Sequence, residues 1–181
     1  MKIIEKERKI SIRPIYKEDL PYLWEISYKD NLKWMDYDGP YFNDPIYKKD
    51  EFIEGYGTRK FCDNPLSYAI IYNDKIVGIV CAYYKDGLLK NWLEFGIDIY
   101  DDKLWNLGIG FKSSKLFIQY LFDTLPIRRV GFSTWSGNLS MMKLGEKLGF
   151  KKEAQIRQVR FWNDEYYDSI EYGILREEWK S

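Results

Sequence analysis

The chain has 181 residues, enough to bury one core without disulfide or metal staples. Lys plus Arg equals Asp plus Glu at 28 each, so no global field draws it to nucleic acid or to an anionic membrane. It contains no histidine, which removes the commonest general base, metal ligand and pH switch and leaves proton chemistry to carboxylates, hydroxyls, thiols or water.

The opening MKIIEKERKI alternates charge with apolar residues too often for a secretory leader. The longest apolar stretch, 76–84, is too short to span a bilayer. Cys62 and Cys81 have neither metal nor disulfide spacing. They read as reduced thiols of a cytoplasmic protein, with Cys81 a small buried hydrophobe inside a strand. No repeat, low-complexity tract or linker divides the chain, so residues 1–181 are expected to form a single domain.

A first strand is predicted over 10–15. A helix follows over 18–28, with Leu20, Leu23, Trp24 and Ser27 on one face and Pro21 tolerable only in the first turn. Residues 30–43 are irregular and aromatic: Trp34, Tyr37, Tyr41 and Phe42 are interspersed with Asp36 and Asp38. Asp44-Pro45 signals the start of a helix reaching about Gly55. Two alternating strands, 66–72 and 75–84, are joined by Asn73-Asp74 as a hairpin, and a turn at Lys85-Asp86-Gly87 leads to a strand over 92–100. Next come a helix over 108–123, a strand over 129–134, and a helix over 138–148 that Gly149 closes. A long hairpin, 153–162 and 166–175, ends the chain. The order predicts an α/β sandwich with a mixed, mostly antiparallel sheet of about seven strands flanked by helices.

Gly108 and Gly110 fall where the strand over 92–100 hands over to a helix, so main-chain N–H groups there meet the positive end of the helix dipole. A dinucleotide fingerprint fails because its third glycine position is Ser113, and a nucleoside-triphosphate loop fails because Gly108 is followed five residues on by Ser113 in place of the required Gly. Two readings stay open: a seat for some other phosphate ligand, or a tight bend.

The glycine loop after the fourth predicted strand, followed after the fifth by NLSMMKLGEKLGF, resembles the GNAT superfamily of acetyl-CoA-dependent N-acetyltransferases, and within it the RimJ/RimL-like branch. The likeness runs from the opening Ile12-Arg13-Pro14 and Asp19-Leu20, through NDKIVG at 73–78, to GILREEW at 173–179. It implies a three-layer GNAT-like fold, acetyl-CoA as co-substrate, and transfer of the acetyl group to a primary amine by direct attack in a ternary complex. No resident metal is implied.

By this resemblance Trp105, Asn106, Leu107, Gly108, Ile109 and Gly110 form the loop that wraps the coenzyme A pyrophosphate through main-chain N–H groups. Trp105 departs from the family's usual Arg or Gln. Ile97 and Ile99 match the positions whose main chain carries the pantetheine arm as an added strand, their side chains being core. Asn138 matches a pantetheine contact and is equally suited to cap its helix. Glu94 matches the carboxylate that would draw the amine proton through water; it is otherwise a solvated strand residue or ion-pair partner, and Asp98 on the same face competes with it. The family's proton-donating Tyr is replaced by Gly145, Ser140 sits one place from the alternative Ser, and solvent or Tyr100 is left for the task.

The acceptor implied is a small-molecule or peptide amine, with the aromatic stretch 30–43 as a pocket wall, or else as a lid or dimer contact. Neither nucleic acid nor membrane is an expected partner. Phe161, Trp162, Tyr166 and Tyr167 on the last hairpin would suit a homodimer. The alternative to an enzyme is a non-catalytic acyl-CoA-binding or sensor module on the same fold, for which Gly145 is the suggestive feature.

Overall fold

The computed structural model describes residues 3–5, 10–29 and 31–180. Most of the opening segment weighed above as a leader, and Asp30 at the head of the aromatic stretch, fall outside them. The strands are β1 (Ile3–Glu5), β2 (Ile10–Pro14), β3 (Ser67–Tyr72), β4 (Lys75–Tyr84), β5 (Leu93–Ile99), β6 (Arg129–Trp135), β7 (Lys151–Trp162) and β8 (Glu165–Leu175). They form one sheet in the order β1-β2-β3-β4-β5-β6-β8-β7. Only β5 and β6 run parallel; the other neighbours are antiparallel. The seven predicted strands are present, and the three-residue β1 adds a short edge.

Asn73 and Asp74 take φ of 48° and 63°, and Asn163 and Asp164 take 49° and 60°. Left-handed conformation at both central residues is what a tight two-residue hairpin requires, so these polar pairs fix the registers of both hairpins. The sheet is covered on both faces. Helices α3 (Ile109–Thr124) and α4 (Leu139–Leu148) lie on one face, where Phe117, Ile118 and Leu121 pack with Phe95, Phe132 and Tyr172. On the other, α1 (Leu20–Trp24) and the segment beginning with α2 (Lys49–Glu51) contribute Leu20, Leu23, Phe52 and Phe61 against Ile71, Ile79 and Tyr100.

The helical segments before β3 differ from expectation. Helix α1 holds five residues and then widens over Glu25–Lys29 into an i→i+5 turn. There the Ser27 hydroxyl donates to Leu23 O at 2.6 Å. Pro45 starts no helix; α2 begins at Lys49, where the Glu51 carboxylate accepts the Lys48 N–H at 3.2 Å. The segment then runs past Gly55 in wide turns, Phe52–Tyr56 and Thr58–Cys62. Burial of Phe52 and Phe61, at 1% and 3% exposure, outweighs the roughly 1 kcal/mol that a helical glycine costs. This extension carries Tyr56 and Lys60 over the face of the sheet. No helix among the described residues is long and apolar enough to cross a membrane.

Candidate active site

β5 and β6 are paired only at Leu93 with Val130 and Glu94 with Gly131, and beyond that point they diverge. The divergence leaves the later half of β5 with an open edge. Hydrogen-bonded pairs alternate along the antiparallel β4–β5 ladder, and Tyr100 N–H donates to Val77 O at 3.1 Å. The main-chain groups of Gly96 and Asp98 therefore point to β4, and those of Phe95, Ile97 and Ile99 point into the gap. The Ile97 and Ile99 side chains pack on the α3 side, as core.

The N-terminus of α3 adjoins this edge: a methyl group added at Gly110 would lie 3.9 Å from Ile97 Cδ1. The N-cap is Gly108 at φ 81°, with no side-chain cap. The first-turn N–H groups of Ile109, Gly110 and Phe111 thus have neither an intrahelical acceptor nor a capping oxygen, and they carry the positive end of the dipole. Lys147 Nζ lies 4.5 Å from the Phe111 ring, adding a cation beside the same turn. An uncapped, glycine-lined helix start next to a strand edge left open by β6 fits a diphosphate joined to an extended amide-bearing arm. Trp105 braces the loop, its indole N–H donating to Ile99 O at 2.8 Å; Asn106 and Leu107 are exposed, Asn106 at φ 61°. The structure brings together Ile97, Ile99 and residues 105–110.

Glu94 lies at the closed end of the gap, where β5 and β6 still pair. Its side chain is 0% exposed, which differs from the solvated carboxylate weighed from sequence. Ser133 Oγ donates to it at 2.9 Å, Trp92 Nε1 at 3.1 Å, Tyr83 OH at 3.3 Å and Lys85 Nζ at 3.4 Å. Lys85 also reaches Glu171 at 2.9 Å. Burial and the Glu94 charge push the Tyr83 hydroxyl up to about 12.

Past Glu94 on the same face there is open space above Gly96. No heavy atom lies within 4 Å of a methyl group built on Gly96. Cys81, the cross-strand partner of Gly96, is half-buried, where the sequence suggested full burial. Burial still pushes its thiol up to about 11. Asp98 follows Gly96 on this face, enclosed by protein yet keeping accessible surface, as a group lining a crevice does. Lys60 reaches in from the helical segment and donates to Tyr56 OH at 2.5 Å. Burial and the neighbouring Asp38 raise Asp98 to about 8 against the opposing pull of Lys60. Burial raises Asp38 as well, opposed by Lys60 and helped by Asp44. Burial would lower Lys60, but the Tyr56 and Asp98 charges more than compensate and raise it. A cleft of about 260 Å³ is lined by Trp34, Asp38, Asp44, Tyr47, Tyr56 and Trp162; of these, Asp38 and Tyr56 are also electrostatic neighbours of Asp98 and Lys60.

The aromatic stretch is both a wall of this cleft and a strap across the mouth of the gap. Tyr37 packs edge-on against Trp105 at 5.2 Å, and Tyr37 O accepts from Trp135 Nε1 at 3.1 Å and Asn138 Nδ2 at 3.0 Å. Asn138 Oδ1 meanwhile caps α4 by accepting the Met141 N–H at 2.9 Å. Asn138 therefore has its cap role together with a tie to the strap. Gly145 is packed against the Phe132 ring so closely that any side chain there would collide. A Tyr at that place is excluded by packing. Tyr100 is buried against Trp34 and its hydroxyl is pushed well above the usual range by burial, then by Asp98. No His, Cys, Asp or Glu cluster suited to a metal occurs among the described residues.

Of these groups, Asp98 was legible as a competitor to Glu94, and Asp38 as part of an aromatic stretch. Lys60 and Tyr56 were missed, because the helix was expected to end before them. Ser133 and Lys85 carry no signal until β6 is set beside β5.

Comparison with known proteins gives a consistent result. A family model described as "Acetyltransferase (GNAT) domain" matches residues 9–151. The SPbeta prophage-derived uncharacterized N-acetyltransferase YokL of Bacillus subtilis (strain 168) is 36% identical over 75 residues, 40% of this chain and 42% of YokL. The putative ribosomal N-acetyltransferase YdaF of the same organism is 24% identical over 123 residues, 67% of this chain and 66% of YdaF. The matches thus span less than two thirds of either relative. The crystal structure of spermidine N-acetyltransferase from Vibrio cholerae in complex with CoA and spermine superimposes with a TM-score of 0.76 at 19% identity, over 93% of this chain and 96% of that one.

Proposed function

Because the chain belongs to the GNAT acetyltransferase family, we propose that it moves the acetyl group of acetyl-CoA onto a primary amine by direct attack in a ternary complex. The observation that carries this reading is the open β5 edge beside an uncapped α3 N-terminus. The N–H groups of residues 108–110 would hold the diphosphate, and the main chain of Ile97 and Ile99 would pair with the pantetheine arm. Acetyl-CoA supplies the activated acyl group. The chain's own contribution is to align the two reactants, an effect worth on the order of several kcal/mol, and to take a proton from the amine.

The amine would approach from the opposite face, through the cleft and over Gly96, between Glu94 and Asp98. Glu94, the carboxylate matched by resemblance, and Asp98, its competitor on the same face, are the two candidates to take the amine proton. Aromatic walls and carboxylates suit a cationic acceptor. The ribosomal designation of YdaF and the spermine of the Vibrio cholerae structure belong to those proteins; here they support an acceptor that is a protein N-terminus or a small amine, in a RimJ/RimL-like setting. Two free thiols fit a reducing compartment, the cytoplasm.

Mass spectrometry of amines and intact proteins incubated with labelled acetyl-CoA tests the reaction. Acetylated amine is the expected product, whereas slow thioester hydrolysis without transfer would favour the sensor module. Gly96→Leu should separate the two substrates. It fills the open space without disturbing the strand, so coenzyme A affinity should stay within about twofold while the amine KM rises at least about tenfold, ~1.4 kcal/mol. Equal losses for both substrates would remove the amine from this position.

A further inference from the structure

We infer that the crevice over Gly96, bounded by Asp98, Asp38 and Lys60, is the seat of the acceptor's ammonium group, and that Asp98 rather than Glu94 receives its proton. This rests on the acetyltransferase reading above and adds what that reading leaves open.

Three observations carry it. The first is space: the position above Gly96 is vacant, and its flanks on the same strand are Glu94 and Asp98. The second is occupancy of the carboxylates. Four donors surround Glu94, which has no exposed surface. Asp98 keeps accessible surface, and its electrostatic neighbours Asp38 and Tyr56 line the aromatic cleft. The third is charge. The titratable groups facing Asp98 are Asp38 from the strap, Tyr56 and Lys60 from the helical segment, Cys81 from β4, Tyr28 behind α1, and Tyr100 at the end of β5, with Glu94 further along the same strand face. Among them Asp38 and Asp98 share one cation, Lys60, since Glu94 has its own in Lys85. With both carboxylates ionised the crevice would be one positive charge short; a proton on Asp98 makes up the difference until a primary ammonium takes its place.

The proton balance follows. Without the cation Asp98 holds a proton at neutral pH, being raised to about 8. An arriving ammonium stabilises the carboxylate and sends that proton to solvent. The carboxylate then takes one proton from the ammonium nitrogen, freeing the lone pair. The nitrogen–carbon bond forms as the carbon–sulfur bond breaks. The second nitrogen proton ends on the departing sulfur, and Asp98 keeps the proton it took, which restores its starting state. Amide, thiol and one released proton account for every atom.

Calorimetric titration with n-butylammonium chloride, repeated in buffers of different ionisation enthalpy, reads the protons released on binding. The expected release at pH 7 is close to one per amine bound, falling to about a tenth at pH 9, where Asp98 is already ionised. Asp98→Asn should release none. In turnover, Asp98→Asn should lose at least about a hundredfold in kcat together with the rise of kcat/KM through about pH 8. Absence of amine binding, absence of release in the wild type, or unchanged release in Asp98→Asn would overturn the inference. A separate titration with coenzyme A tells the two readings apart: binding there with no amine-linked proton release sinks the Asp98 assignment alone, and the reverse pattern sinks the acetyl-CoA assignment alone.

Discussion

Gly110→Glu is expected to weaken coenzyme A binding by about a thousandfold, ~4 kcal/mol, in a protein that still folds. The substitution has room, since the nearest heavy atom to an added methyl group is Ile97 Cδ1 at 3.9 Å. It also suits the helix: Gly110 is the second residue of α3, where a carboxylate complements the dipole and Glu has better helical propensity than Gly. Folding stability should therefore hold or rise by a few tenths of a kcal/mol. The ligand loses twice. The new carboxylate occupies the N–H groups that would meet the diphosphate, and hydrogen bonds to a charged group are worth about 1.5–3 kcal/mol each. It then repels the phosphates across a gap that the helix start keeps short. Calorimetry gives the affinity and urea unfolding the stability. An unchanged dissociation constant in the folded variant would move the diphosphate elsewhere.

Glu94→Ala is expected to cost about 3 kcal/mol of folding stability, whatever its effect on turnover. The carboxylate has no exposed surface and accepts from Ser133, Trp92, Tyr83 and Lys85. Its loss strands donors that were satisfied at the junction of β5 and β6, at about 1–3 kcal/mol for each that water cannot reach. Lys85 is spared part of this, being one-third exposed with a second partner in Glu171. Glu94→Gln keeps two acceptor sites and should cost about half as much. Urea midpoints at constant slope measure both. A loss below about 0.5 kcal/mol for Glu94→Ala would mean that solvent already serves these donors.

The strands and the last two helices were legible because their signals are local. Asn73-Asp74 and Asn163-Asp164 announce hairpins by chemistry alone, and Gly149 stops α4 at φ 90°. The segment from 18 to 62 was not legible in the same way. Pro45 and Gly55 are honest local signals for a start and a stop, yet Phe52 and Phe61 needed the same apolar surface, and tertiary burial overrode them. That single displacement hid Tyr56 and Lys60, and with them the charge pattern of the crevice. The proposed coenzyme side would depend on glycines and on main chain, which spacing reveals. The proposed amine side would depend on Asp38, Lys60 and Asp98, which come from three elements and which spacing does not reveal. Asn138 shows the intermediate case: its capping role was readable, while its tie to Tyr37 O depends on a strap 101 residues away in sequence.

The most direct measurement is a calorimetric titration of the purified chain with coenzyme A. Saturable binding of one ligand per chain is predicted, with the amide resonances of residues 108–110 and of Ile97 shifting in a parallel nuclear magnetic resonance titration. No heat and no shifts at millimolar ligand would contradict the account, leaving the gap between β5 and β6 without its proposed occupant.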